Sequence, residues 1–355
     1  MGKPSVFVVD LKISSSTYIY SRASPGSRGD ASRDDEKKRD ATMFPLLLRA
    51  LWPLAFGLFV ASAAAAPDIA PRAVAPDVYY VQGVPALGSA ENQNFISNAG
   101  FVVTRDSVVL IDALGSPAAA ERLVREIRRI TPKPISHVIL THYHADHIYG
   151  LHVFKALGAQ VIAHALAKTY LYSDAARLRL EASRKDLAPW IDDSTRLVPA
   201  DVWLEGRTEM TIGGTRFVIQ PAGPAHTPED LAIYLPQQQV LFSGDVVFRN
   251  RIPYVGTADS RHWIAALDAL LALDARTIVP GHGPASSDPK QDLQLTRDYL
   301  VFLREAMRKA AADMTPFEEA YAATDWSRYE AMPLFKAANR MNAYNTYLLM
   351  EQETR

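Results

Sequence analysis

The chain has no cysteine in its 355 residues. Disulfide scaffolds, thiolate metal sites and cysteine nucleophiles are therefore excluded, and any metal must sit on imidazole and carboxylate. It also lacks an excess of charge: 38 Lys and Arg face 39 Asp and Glu, a formal net charge of −1. With no basic surplus to neutralise phosphates, nucleic acid is not the expected partner. Otherwise the composition is that of an ordinary globular protein, 48% hydrophobic and 22% charged.

Long apolar runs are also scarce. The strongest is within 43-MFPLLLRALWPLAFGLFVASAAAA-66, uncharged after Arg49, broken by Pro53 and Gly57, and ending in small residues before Pro67. It is short for a membrane span and closes on an Ala-x-Ala pattern, so residues 43–66 read as a secretory signal peptide cut within Ala63 to Ala66. A periplasmic or secreted location follows, with no stable membrane insertion after cleavage. Residues 1–42, including the charge-dense 28-RGDASRDDEKKRD-40, read as a disordered leader or as an artefact of start-site choice, with Met43 the favoured start.

The remainder alternates strand and helix patterns. FVVTRDSVVLID (101–112) predicts a hairpin, and SPAAAERLVREIRRI (116–130) a helix with Ser116 as cap and Pro117 at its first position. ISHVILTH (135–142) predicts a buried strand, 150–158 a short helix, 159–164 a strand and 165–190 helix. TRLVPADVWL (195–204), TEMTIGGTRFVIQPA (208–222) and DLAIYLPQQQVLFSGDVVF (230–248) predict strands. A helix over 262–274, a strand in RTIVPGHG and helices over 288–312 and 316–351 complete the chain. That order predicts a layered α/β protein with two helix-covered sheets. Residues 67–312 form the expected domain, and 313–355 a helical C-terminal extension packed on it. Phe335, Tyr344 and Tyr347 recur at helical spacing and are expected in the core.

Within this frame stands 141-THYHADHIYG-150, with three of the nine histidines between residues 142 and 147. In extended chain, residues two apart face one way, so His142 and His144 can face one metal. Asp146 and His147 follow as the chain turns and can face a second. Three later positions can complete such a pair: His226 in AGPAHTPED, Asp245 in FSGD and His282 in VPGHGP, all expected at strand ends or in the loops after them. Two ions about 3.5–4 Å apart, sharing one hydroxide, form a clamp for displacement at carbonyl or phosphoryl centres.

The string His142-Tyr143-His144-Ala145-Asp146-His147, with His226, Asp245 and His282 in that order, resembles the metallo-β-lactamase fold superfamily. The likeness runs over about residues 77–285. It implies a four-layer αβ/βα sandwich with the metals at one edge of the two sheets. It also implies that His142, His144 and His226 hold one ion, that Asp146, His147 and His282 hold the other, and that Asp245 bridges them. The implied cofactor is two zinc ions, with iron or manganese the other metals such donors accept. Asp146 is the expected catalytic residue, orienting the hydroxide and relaying a proton. Asp112 is expected to support the site rather than touch metal, and His137, His152, His164 and His262 to lie outside it.

An acid at position 245 is similar to the glyoxalase II-like branch, closest to quinoprotein relay system metallohydrolases, and implies a small ester, thioester, lactone or amide as substrate. The sequence names no substrate-binding residue. The alternatives are a β-lactamase, with Arg249 or Arg251 as partner for a substrate carboxylate, and an iron-dependent sulfur dioxygenase or diiron redox protein.

Overall fold

The computed structural model describes residues 67–256 and 258–354. The leader and signal-peptide readings lie outside the described residues. Twelve strands and nine helices follow: β1 (Arg72–Ala75), β2 (Val78–Val81), β3 (Ala99–Val103), β4 (Val108–Ile111), α1 (Pro117–Ile130), β5 (Ile135–Ile139), α2 (Ala145–Ile148), α3 (Leu151–Ala156), β6 (Gln160–His164), α4 (Ala167–Leu171), α5 (Asp174–Asp186), β7 (Val202–Leu204), β8 (Thr208–Ile212), β9 (Thr215–Pro221), β10 (Leu231–Leu235), β11 (Val240–Phe248), α6 (Ser260–Leu271), β12 (Thr277–His282), α7 (Pro289–Ala312), α8 (Phe317–Ala323) and α9 (Phe335–Thr354).

One sheet runs β1 to β7 in chain order, antiparallel as far as β4 and parallel from there. The other runs β12-β11-β10-β9-β8, with only the β11–β12 pair parallel. Alternation along the strands sorts their side chains into layers. Val109, Ile111 and Ile139 face Phe217, Ile233 and Phe242 in the core between the sheets. Their neighbours Val108, Leu110 and Val138 turn outward to Leu123 and Ile127 of α1. On the far side, Leu241 and Ile278 pack with Trp263 of α6 and Leu300 and Leu303 of α7. Three apolar layers between four layers of structure make the αβ/βα sandwich that the resemblance implies.

Local rules placed most elements. Ser116 Oγ accepts from Ala119 N, Pro117 opens α1, and the helix buries Ala120, Leu123, Val124 and Ile127 at three- and four-residue spacing. Four expectations need correction. The strand read as 135–142 ends at Ile139, and the helix read over 165–190 breaks at Ser173, which caps α5 through Ala176 N. Only Val202–Leu204 of 195–204 is strand, since Pro199 cannot donate to a ladder and Thr195 N turns back onto Asp192 O. Tyr344 touches Phe317 but is 43% exposed, so it is not core, unlike Tyr347. Strand β1 had no clear pattern and was not anticipated. Among the described residues no helix is long and apolar enough to cross a membrane.

The C-terminal helices pack on the sandwich and reach toward its edge. Asn342 of α9 accepts from Val255 N (2.9 Å) and donates to Pro253 O (2.7 Å), holding the segment after β11.

Candidate metal centre

Seven donors converge at the sheet edge where β4, β5, β11 and β12 end. His142 and His144 leave the end of β5, and Asp146 and His147 lie in α2. His226 sits between β9 and β10, and His282 ends β12. Asp245 lies inside β11, where the register with β12 shifts around Gly244. That irregularity re-aims the chain, as bulges do beside active sites. Glycine is required at two of these joints. A Cβ on Gly281 would sit 1.9 Å from Asp245 Oδ1, and Gly244 holds φ +51° against Thr141.

The donors form two groups, each with ligand atoms mutually within 4.8 Å: His142, His144, His226 and Asp245, and then Asp146, His147 and His282. His144 Nδ1 is 2.9 Å from His226 Nε2, and Asp245 Oδ2 is 3.3 Å from His226 Nε2 and 3.9 Å from His142 Nε2. In the second group Asp146 Oδ2 is 3.3 Å from His282 Nε2 and 3.6 Å from His147 Nε2. Asp245 also reaches this group, Oδ1 at 3.3 Å from His147 Nε2 and Oδ2 at 3.3 Å from His282 Nε2. Tetrahedral donors at about 2.0–2.1 Å from one zinc ion stand roughly 3.3–3.4 Å apart. The observed spacings bracket that value.

Unsatisfied atoms point the same way. His142 Nε2, His147 Nε2 and Asp245 Oδ1 are buried without a hydrogen-bond partner, an arrangement that costs free energy unless something binds there. The outer ring nitrogens, in contrast, are engaged. His147 Nδ1 meets Asp112 Oδ2 at 2.9 Å, His226 Nδ1 meets Tyr254 O at 2.9 Å and His282 Nδ1 meets Ile96 O at 2.7 Å. Each acceptor fixes the proton on the outer nitrogen and leaves the Nε2 lone pair for the site. Asp112 is itself held by Thr141 N (2.8 Å), so it supports the site as expected. The residues present therefore fit a pair of divalent ions.

Electrostatics separate the two groups. Burial, then His226, pushes His144 down to about 3, and burial with His147 holds His142 well below its usual range, so both are neutral donors. Burial opposes charge at His147, but Asp245, Asp146 and Asp112 outweigh it and raise that imidazole. Burial opposes charge on Asp146 and Asp245 too, yet His147 and His282 keep both carboxylates ionised.

All seven donors read from the sequence meet here, and His137, His152, His164 and His262 stay out of both groups. The backbone acceptors Ile96 O and Tyr254 O, and Ser97, whose Oγ donates to Asp146 O, were not anticipated. Asn98 was also missed. It donates to Pro280 O and Gly283 O at 2.7 Å and so brackets His282. Polar residues crowd 89-SAENQNFISN-98, the only signal that segment offered.

Residues 93–282 match the Metallo-beta-lactamase superfamily. The linear primary-alkylsulfatase of Pseudomonas sp. (strain ATCC 19151) is 27% identical over 250 residues, 60% of this chain and 47% of its own length. The metallo-beta-lactamase type 2 of Bacillus sp. (strain 170) is 26% identical over 202 residues, 56% of this chain and 70% of its own. The solved structure of the stereoselective inverting sec-alkylsulfatase Pisa1 from Pseudomonas sp. shares the fold, with TM-score 0.62, 19% identity, and coverage of 79% of this chain and 50% of that one. The chain spans about half the length of the first curated relatives it matches. By a match that covers more than half of its residues and contains all seven donors, the chain belongs to the metallo-beta-lactamase superfamily.

Proposed function

We propose that this chain is an exported, dinuclear zinc hydrolase of the glyoxalase II-like type, acting on a small ester, thioester, lactone or amide. The observation that carries the reading is Asp245, whose two oxygens lie within 3.3 Å of donors from both groups. His142, His144 and His226 would hold one ion and Asp146, His147 and His282 the other, with Asp245 between them. Bound there, the ions would supply a nucleophile from water at neutral pH and polarise the scissile group.

The chain's own residues do the rest. Asp112, Tyr254 O and Ile96 O orient three imidazoles, which keeps the donors preorganised. Asp146 is the least buried of the site carboxylates, with 16% of its side chain exposed against 4–5% for Asp112 and Asp245. Its Oδ2 faces the imidazoles, and its other oxygen takes the proton of the attacking water and returns it to the leaving group. The test is turnover of a panel of thioesters, lactones, esters and β-lactams by the metal-loaded protein and by Asp146→Ala. A loss of about 10²–10⁴-fold is expected for whichever substrate is turned over, and unchanged turnover overturns the mechanism.

A sulfate ester is the second reading. It is favoured by the 250-residue match to the alkylsulfatase and by another of 271 residues, 26% identical, to the yeast alkyl/aryl-sulfatase. For the β-lactamase reading, neither arginine weighed from the sequence is free for a substrate carboxylate at the metal site: Phe248 stands three residues after Asp245, Arg249 is tied to Asp292 (2.8 Å), and Arg251 lies buried on the outer-nitrogen side of His282. The iron-dependent alternative uses the same donors and is decided by metal content.

A further inference from the structure

Behind the metal centre, between the segment after β11, helix α7 and the turn before α9, lies a cavity of about 140 Å³. Phe248 divides it from the metal donors, its ring stacked on His282 at 5.2 Å between centroids and 6° between planes. Leu295 and Met332 add apolar wall.

Among the further lining side chains that are more than nine-tenths buried are Arg251 at 6%, Asp292 at 2% and Tyr329 at 4% exposure. Each carries a buried polar atom without a hydrogen-bond partner, namely Arg251 Nε, Asp292 Oδ2 and Tyr329 Oη. The other charges around the cavity are matched. Arg249 pairs with Asp292 at 2.8 Å and Arg328 with Asp298 at 2.9 Å. Among the described residues Arg251 has no carboxylate within ion-pair distance. Its polar neighbour is His282 Nδ1 at 3.2 Å, a nitrogen whose proton already goes to Ile96 O. A donating nitrogen cannot accept from a guanidinium. The nearby acids whose fields reach Arg251, Asp245 and Asp146, are metal donors whose charge bound ions would take up. A buried guanidinium without an anion is costly, and guanidinium is the side chain best shaped for bidentate contact with carboxylate or sulfate.

We propose that this cavity binds a small organic anion, with a carboxylate or sulfate-type group on Arg251 and a short apolar body against Phe248, Leu295 and Met332. A dry cavity of about 150 Å³ holds a molecule the size of benzene, so a body of about six carbons fits. The site goes beyond the hydrolase reading, since occupancy requires neither turnover nor a particular metal.

The test is calorimetric titration of the metal-loaded protein with hexanoate, hexanesulfonate, hexanol and inorganic sulfate, none of which hydrolysis can consume. One organic anion should bind per chain, and the preference between the first two identifies the headgroup. Hexanol and inorganic sulfate should bind at least about tenfold more weakly, the loss of one good interaction. Arg251→Met should cost at least about tenfold while circular dichroism and metal content stay as in the wild type. Met332→Trp, which fills the cavity without touching the arginine, should do the same and decides alone if Arg251→Met does not fold. Equal binding of hexanol, no binding of either anion, or full retention of anion affinity in Met332→Trp overturns the proposal, the last because it places the anion on the metals instead.

Discussion

Asp112 Oδ2 stands 2.9 Å from His147 Nδ1, while Asp112 Oδ1 accepts from Thr141 N at 2.8 Å. One buried carboxylate thus ties the end of β4 to the start of the histidine loop and fixes which nitrogen of His147 faces the site. Asp112→Asn keeps the shape and removes the charge. Chelator competition should show metal affinity lowered by roughly 10–100-fold, the usual cost of losing such a partner, with the fold intact by circular dichroism. Unaltered affinity would show that Asp112 is only a loop tether.

Gly281 leaves no room for a side chain, since a Cβ there would lie 1.9 Å from Asp245 Oδ1. Gly281→Ala should push the Asp245 carboxylate away, lower bound metal below two ions per chain, and destabilise by about 1–3 kcal/mol, as overpacking does. Elemental analysis and thermal unfolding read the two effects separately.

Asn342 links α9 to the site at second hand. It holds Val255 N and Pro253 O, which flank Tyr254, whose carbonyl orients His226. Asn342→Ala leaves buried polar groups unpaired, at about 1–3 kcal/mol for each. It should also weaken metal retention, although residue 342 touches no donor. Chelator-induced loss of metal, followed over time, should be faster in the variant.

Asp230 is 1% exposed. Burial raises its pKa well above the ordinary 3.8, outweighing the lowering by Thr227 N at 2.7 Å and Thr227 Oγ1 at 2.8 Å. A folded-state pKa above the unfolded one contributes stability that is fully present below the unfolded pKa and lost as pH rises through the folded pKa. Asp230→Asn carries no such proton. As pH rises above about 4, denaturant midpoints should show the wild type losing stability relative to the variant. A constant gap, or one moving the other way, contradicts the raised pKa.

The metal donors were legible because each is defined by side-chain type and short-range spacing: 142-HYHADH-147 on an extended run, and His226, Asp245 and His282 beside glycine and proline. The strands were legible as short β-branched runs beside turn residues, such as 108-VVLI-111, which is buried along its whole length. What supports the donors was not. Ile96 and Tyr254 act through carbonyls, which every residue has, so no sequence signal marks them. Asn98 and Asn342 look like ordinary loop and helix polar residues until long-range packing brings them to the site. Pro199 cut short an apparent strand, and the solvated position of Tyr344 is set by tertiary contacts that its helical spacing does not encode.

On the proposed reading, seven donors hold two ions at this site, with Asp245 shared between them. Metal analysis of protein purified without added metal tests it most directly, with Asp245→Ala alongside. Two zinc ions per wild-type chain and at most one in the variant are expected. One ion or none in the wild type, a predominance of iron, or two ions retained by Asp245→Ala would contradict it.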